Sequence, residues 1–215
     1  MLTSSTTSTS ISLLTEAQDV NAHKWTYSNM ETYRVQEEII CHLFRCGSTT
    51  ANMDENIIFL KVSTLNLYYS TFMLATRLMA NGIFNLKIDA RLKEGDISLV
   101  EDIAKCTKRR NYSFATKYCA CHQPDKFPIY DDIVGQYLAH VIAAGNLFGH
   151  SGAWTSIQQK MQKDYVYYKE VYDAFMQQYS LTSLSYREVD WYIWTANKCP
   201  QSRSLLLFTL LKKSK

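Results

Sequence analysis

Proline and glycine are scarce in this chain, three and seven in 215 residues. Sandwiches and doubly wound folds place turn residues about every 8–12 positions, so this scarcity favours long helices with short connections. Strand-like alternation is weak throughout. Long hydrophobic runs are also missing: the strongest, Leu205 to Leu211, is far short of the roughly 20 residues of a membrane span. The start, MLTSSTTSTSISLL, has no basic region before a long apolar run, so no signal peptide is expected. The six cysteines, Cys41, Cys46, Cys106, Cys119, Cys121 and Cys199, are scattered. Cys119-Ala-Cys121-His122 has no second pair at zinc spacing, and there is no four-cysteine loop for an iron–sulfur cluster. Reduced thiols in a cytoplasmic protein are the expectation, with no metal and no cofactor. The phosphate loop, the dinucleotide fingerprint, the serine nucleophile elbow and the zincin helix are absent as well.

What is present describes a globular helical protein. The chain is 47 % hydrophobic and 20 % charged, enough to bury a sizeable core. Fifteen tyrosines and four tryptophans suit amphipathic packing at helix interfaces. The net charge of +3 says little about partners, and only its placement can.

Residues 1 to 12 are rich in serine and threonine and read as a loosely attached tail. From residue 13 to 215 a single all-α domain is expected. METYRVQEEIICHLF places Tyr33, Gln36, Ile40 and Phe44 on one face. Asp54 or a neighbour caps an apolar segment that ends at Asn81-Gly82, with a division expected near Ser63-Thr64, and this segment reads as the central buried element. Ser98 to Glu101 and Ser185 to Glu188 both have capping-box spacing. Ser113 to about His122 reads as a short helix, and Asp131 or Asp132 opens the next. Gly149 to Gly152 breaks that one. Ile157, Met161, Tyr165, Tyr168, Tyr172, Phe175 and Tyr179 then recur as one long amphipathic helix.

The chemistry-bearing residues gather in the middle of the chain. Between Ile103 and Pro124 there are five basic residues, Lys105, Lys108, Arg109, Arg110 and Lys117, and no acidic one. A basic turn ahead of a helix N-terminus can clamp a backbone phosphate, with Lys108, Arg109, Arg110, Asn111 and Ser113 as the contacts. It can equally be an exposed turn. Lys117 lies among Phe114, Ala115, Tyr118 and Cys119. A lysine partly buried there could serve as an amine nucleophile towards a sugar carbon, or simply extend to solvent. Asp131 and Asp132 suit an N-cap and a first-turn carboxylate, and a capping carboxylate can also stabilise a cationic transition state.

The runs ATKYCACH and FPIYDDIV resemble the core of the helix-hairpin-helix DNA glycosylase superfamily, especially divergent proteins similar to 8-oxoguanine DNA glycosylase. The likeness is clearest over residues 85 to 138. It implies a helix-hairpin-helix core at about 98–137 and double-stranded, damaged DNA as partner, with no membrane. It also implies base-excision repair by an N-glycosylase with lyase activity, Lys117 as nucleophile and Asp131 as carboxylate, with Asp132 as cap or alternative. Asn111-Tyr-Ser-Phe114 stands where the family usually has glycines. The competing expectation is a non-catalytic helical protein that binds DNA or another protein through the same basic turn.

Overall fold

The computed structural model describes residues 31–145 and 153–198, together with Thr15 and Gln18. The Ser/Thr-rich tail, the break at Gly149 to Gly152, Cys199 and the apolar C-terminal run lie outside the described residues. Among the described residues every regular element is helical and there is no strand. The chain is all-α. The described residues fall into two compact units, one within Ser28–Tyr130 and the other from Asp131 onward.

The first unit opens with α1 (Glu31–Arg45), which buries Ile40 and Phe44 and leaves Tyr33 37 % exposed. A short 3-10 turn (Gly47–Thr49) follows. Asp54 then caps α2 (Glu55–Tyr68), its carboxylate accepting from the Asn56 amide at 2.7 Å. The division of the apolar segment comes at residues 69–75, not near Ser63-Thr64. Asn66 decides it: its side chain accepts from the Met73 amide at 2.8 Å and the Thr71 hydroxyl at 2.7 Å, and donates to the Met73 carbonyl at 3.0 Å. These bonds hold a tight loop in which Ser70 and Phe72 take positive φ of 47° and 50°.

Helix α3 (Thr76–Leu86) passes straight through Asn81-Gly82, where the sequence suggested an end. Gly82 is there for space: a Cβ on it would lie 2.5 Å from Cys106 Cβ and 2.7 Å from its Sγ. The helix instead ends at Lys87, in the left-handed region. Gly82→Ala is therefore expected to destabilise by about 1–2 kcal/mol, overpacking outweighing the gain in helix propensity. Cys106→Gly should cancel that loss in a thermal-melting comparison of the single and double variants.

Helices α4 (Asp89–Glu94) and α5 (Ser98–Ala104) lead to α6 (Tyr112–His122). The sequence pointed to the Asn56 to Asn81 segment as the central element, but α6 is more completely enclosed. Tyr112 and the eight consecutive residues from Phe114 to Cys121 are buried on all sides of it, with α1, α2 and α5 packed against it. A helix apolar around its whole circumference belongs inside a core.

The second unit holds α7 (Asp132–Gly145), α8 (Trp154–Lys163), α9 (Tyr165–Gln178) and α10 (Tyr186–Lys198). The long amphipathic helix expected from Ile157 to Tyr179 is two helices. Asp164 turns extended and caps α9, accepting from the Tyr167 amide at 3.1 Å. The apolar rhythm survives the break, since Ile157, Met161, Tyr165, Tyr168, Tyr172, Phe175 and Tyr179 are all buried.

Candidate functional site

Helix α6 carries Lys117 into the first unit. Only 6 % of this lysine is exposed. Its Nζ donates to Ser113 Oγ at 2.6 Å, one helical turn back, and lies 5.4 Å from the centre of the Tyr69 ring. Ser113 Oγ in turn donates to the Tyr130 carbonyl at 3.1 Å. The neighbouring Thr116 accepts from the Tyr130 amide at 3.1 Å. The segment Phe127–Tyr130, in which Phe127, Ile129 and Tyr130 are buried, is thereby stitched along α6. The lysine amine is thus held in place by a hydroxyl whose own proton is directed to a backbone oxygen.

The preceding turn is less free than its composition suggests. Arg110 makes a forked ion pair with Glu101, Nη2 to Oε2 at 2.8 Å and Nε to Oε1 at 3.1 Å, and stacks 4.3 Å over the Tyr112 ring. Lys105 reaches the same carboxylate at 3.2 Å. The acidic partner sits just upstream of the all-basic window. Those cations hold the Glu101 carboxyl below the usual range although its burial works the other way. Lys108 and Arg109 remain exposed. Asn111 folds its amide back onto Thr107 Oγ1 and the Arg109 carbonyl, both at 2.7 Å, which leaves α6 without a side-chain N-cap.

Ser98 does not form the expected capping box. Asp96 accepts from the Ser98 amide at 3.0 Å and its hydroxyl at 2.6 Å, which frees Glu101 for Arg110.

Asp131 and Asp132 belong to the other unit, at the start of α7. Asp131 is the capping residue, its Oδ1 accepting from the Val134 amide at 2.9 Å. Asp132 is exposed in the first turn, with Gln162 Nε2 at 3.5 Å from its Oδ1.

Two features escaped the sequence reading. The 69–75 loop, which brings Tyr69 to Lys117, presents Phe72 and Leu74 outward at 81 % and 99 % exposure. Beneath α6, Lys61 is completely buried. Its Nζ donates to the Thr50 carbonyl at 2.9 Å and Asn52 Oδ1 at 3.1 Å, and lies 3.5 Å from His122 Nε2. Asn52 also accepts from the Tyr118 hydroxyl at 2.7 Å and donates to Asp89 at 2.6 Å. Burial lowers the Lys61 pKa to about 8 and drives that of His122 well down, with the Lys61 charge adding to the latter. A lone lysine in NIIFLKVSTL was the available signal.

Residues 18–126 match the family described as HI_0787_N, an N-terminal domain, and this segment is just over half of the chain. The chain belongs to this family. The matched segment ends four residues before the boundary of the first compact unit, so the HI_0787_N domain carries α6, Lys117 and the basic turn. An uncharacterized protein of Haemophilus influenzae is 37 % identical over 138 residues, which cover 62 % of each chain. The match therefore spans less than two thirds of that relative's length. No solved structure matches.

Proposed function

We propose that the protein acts on damaged double-stranded DNA as an N-glycosylase with lyase activity, with Lys117 as the nucleophile. The observation that carries this reading is the Lys117 amine itself, buried yet fixed by Ser113 Oγ on a helix that follows a basic turn. In the reaction, the Lys117 amine attacks the sugar C1′ and gives up a proton, while the base departs with the glycosidic electron pair and takes up a proton. Opening of the sugar ring gives a Schiff base, and loss of the C2′ proton with expulsion of the 3′ phosphate nicks the strand. The base must leave the stack first. Exposed Phe72 and Leu74, on the loop that also brings Tyr69 to Lys117, are of the apolar kind that enters between base steps. Exposed Lys108 and Arg109 and the uncapped start of α6 suit backbone phosphates. The reading gives the carboxylate role to Asp131, places the protein in the cytoplasm and needs no cofactor. Oxidised purines such as 8-oxoguanine are the substrate class.

Borohydride trapping on duplexes carrying 8-oxoguanine or an abasic site tests it. Wild-type protein is expected to give a covalent adduct that Lys117→Ala abolishes, with a large loss in Asp131→Asn. Intact binding with no adduct on either duplex would refute the nucleophile. A second reading, non-catalytic DNA binding through the same turn, is favoured by one observation: Lys108 and Arg109 are exposed whereas the Lys117 amine is buried. It expects salt-sensitive duplex binding indifferent to base damage and to Lys117→Ala.

A further inference from the structure

The end of α1 holds a feature that DNA chemistry does not use. Cys41 and Cys46 lie five residues apart, with their Sγ atoms 3.9 Å from each other. Cys46 is exposed and Cys41 half-buried. We propose that Cys41 and Cys46 form a thiol–disulfide exchange site that takes a small disulfide of the glutathione type and closes into an intramolecular disulfide.

Three observations support closure here. First, the Sγ atoms need approach by only about 2 Å to reach the bonded distance of roughly 2.05 Å. Second, the chain at Cys46 has turned extended, at φ −123° and ψ 136°, so only its amide stays on the α1 ladder. Third, the next residue, Gly47, takes φ +72° with nothing within 4 Å of where a Cβ would stand. A small reagent can therefore reach Cys46, and the backbone there can adjust. The bonds that hold the turn are local, Thr50 Oγ1 to the Gly47 carbonyl at 3.1 Å and the Cys46 amide to the His42 carbonyl at 3.3 Å.

The other described cysteines do not compete. Burial pushes Cys106 up to about 11 and Cys121 up to about 12, and Cys119 is raised further, so each remains a thiol.

The exchange runs in two steps. The Cys46 thiolate attacks one sulfur of the reagent, whose disulfide bond breaks and releases one glutathione thiolate. The Cys41 thiolate then attacks the Cys46 sulfur and expels the second. The two cysteines lose two electrons and two protons, and the reagent is reduced to two thiols.

The hydrogen bond between the two thiols raises the Cys46 pKa, so the reaction is best run at about pH 8.5. The full chain is incubated with oxidised glutathione, alkylated, cut with trypsin without reduction and measured by mass. Arg34, Arg45 and Lys61 place the two cysteines on separate peptides, Val35–Arg45 and Cys46–Lys61. Wild type is expected to yield these two joined. In Cys41→Ser the reaction should stop at the glutathione adduct of Cys46, at a level at least about tenfold above wild type, because a neighbouring thiol acts at high effective concentration. Equal adduct in both proteins would overturn the proposal. So would an unmodified Cys46, or a Cys46 joined to any other peptide.

Discussion

Asn52→Leu is expected to lower the stability of the first unit by about 3–5 kcal/mol, and the melting temperature by more than about 10 °C. The side chain is 1 % exposed. It serves three partners: Lys61 Nζ and the Tyr118 hydroxyl, both fully buried, and half-buried Asp89. Leucine fills the volume and serves none. Each stranded donor or acceptor costs about 1–3 kcal/mol, and those carrying charge lie at the upper end. Lys61 keeps its bond to the Thr50 carbonyl, and Asp89 keeps the Asn52 amide at 2.9 Å, so the loss is not the full sum. Tyr118→Phe supplies the control. On its own it removes one bond, but combined with Asn52→Leu it should add almost nothing, because its acceptor has gone. A melting temperature within 2 °C or so of wild type would mean that the network contributes little.

The second large effect is the pH dependence of the same cluster. Lys61 has a folded pKa of about 8 against 10.5 when free, because burial penalises its charge. Between these values the unfolded chain binds the extra proton, so this residue makes stability rise with pH from about 8 to 10.5. The range corresponds to about 3 kcal/mol. Buried Cys119, Cys121 and Tyr118, all raised, pull the other way in alkali, since the unfolded chain loses their protons first. The Lys61 contribution is therefore read as the difference between wild type and Lys61→Met in denaturant titrations across that range.

His122 acts in the same direction in a lower window. Its pKa is depressed, so the stability it contributes is complete above about pH 6.5 and is lost as the unfolded chain takes a proton below it. The slope is up to about 1.4 kcal/mol per pH unit for one proton. His140, also lowered by burial, adds in the same direction. His122→Gln should flatten the stretch between pH 4.5 and 6.5. A profile there identical to wild type would place His122 outside the linkage.

The two capping boxes show how far local signals reach. Ser185 to Glu188 forms as its spacing suggests: the Ser185 amide and hydroxyl donate to Glu188 Oε2 at 2.7 and 2.8 Å, and the Glu188 amide returns to Ser185 Oγ at 3.2 Å. Ser98 to Glu101 has the same letters but does not form, because Asp96 supplies a nearer acceptor and Arg110 a stronger partner for the glutamate. Asn81-Gly82 fails for a related reason. A helix stop and a close-packed crossing require the same residue, and only Cys106, brought alongside by folding, distinguishes them.

Sequence alone determined what depends on neighbours within a turn or two. The all-helical class followed from few turn residues and three-to-four periodicity, a cap at or beside Asp54 from its position ahead of an apolar run, and the basic Lys108-Arg109 turn from its charge. Tertiary structure decided everything that needed a distant partner. It buried Lys61 against carbonyls about ten residues away and beside a histidine 61 residues away. It gave the Arg110 charge to Glu101 and set Ser113 between Lys117 and the Tyr130 carbonyl. It also left Phe72 and Leu74 outside, on a loop that Asn66 ties down. The physical reason is range: helix propensity and caps act over a few residues, whereas desolvation and ion pairing depend on whatever folding places alongside.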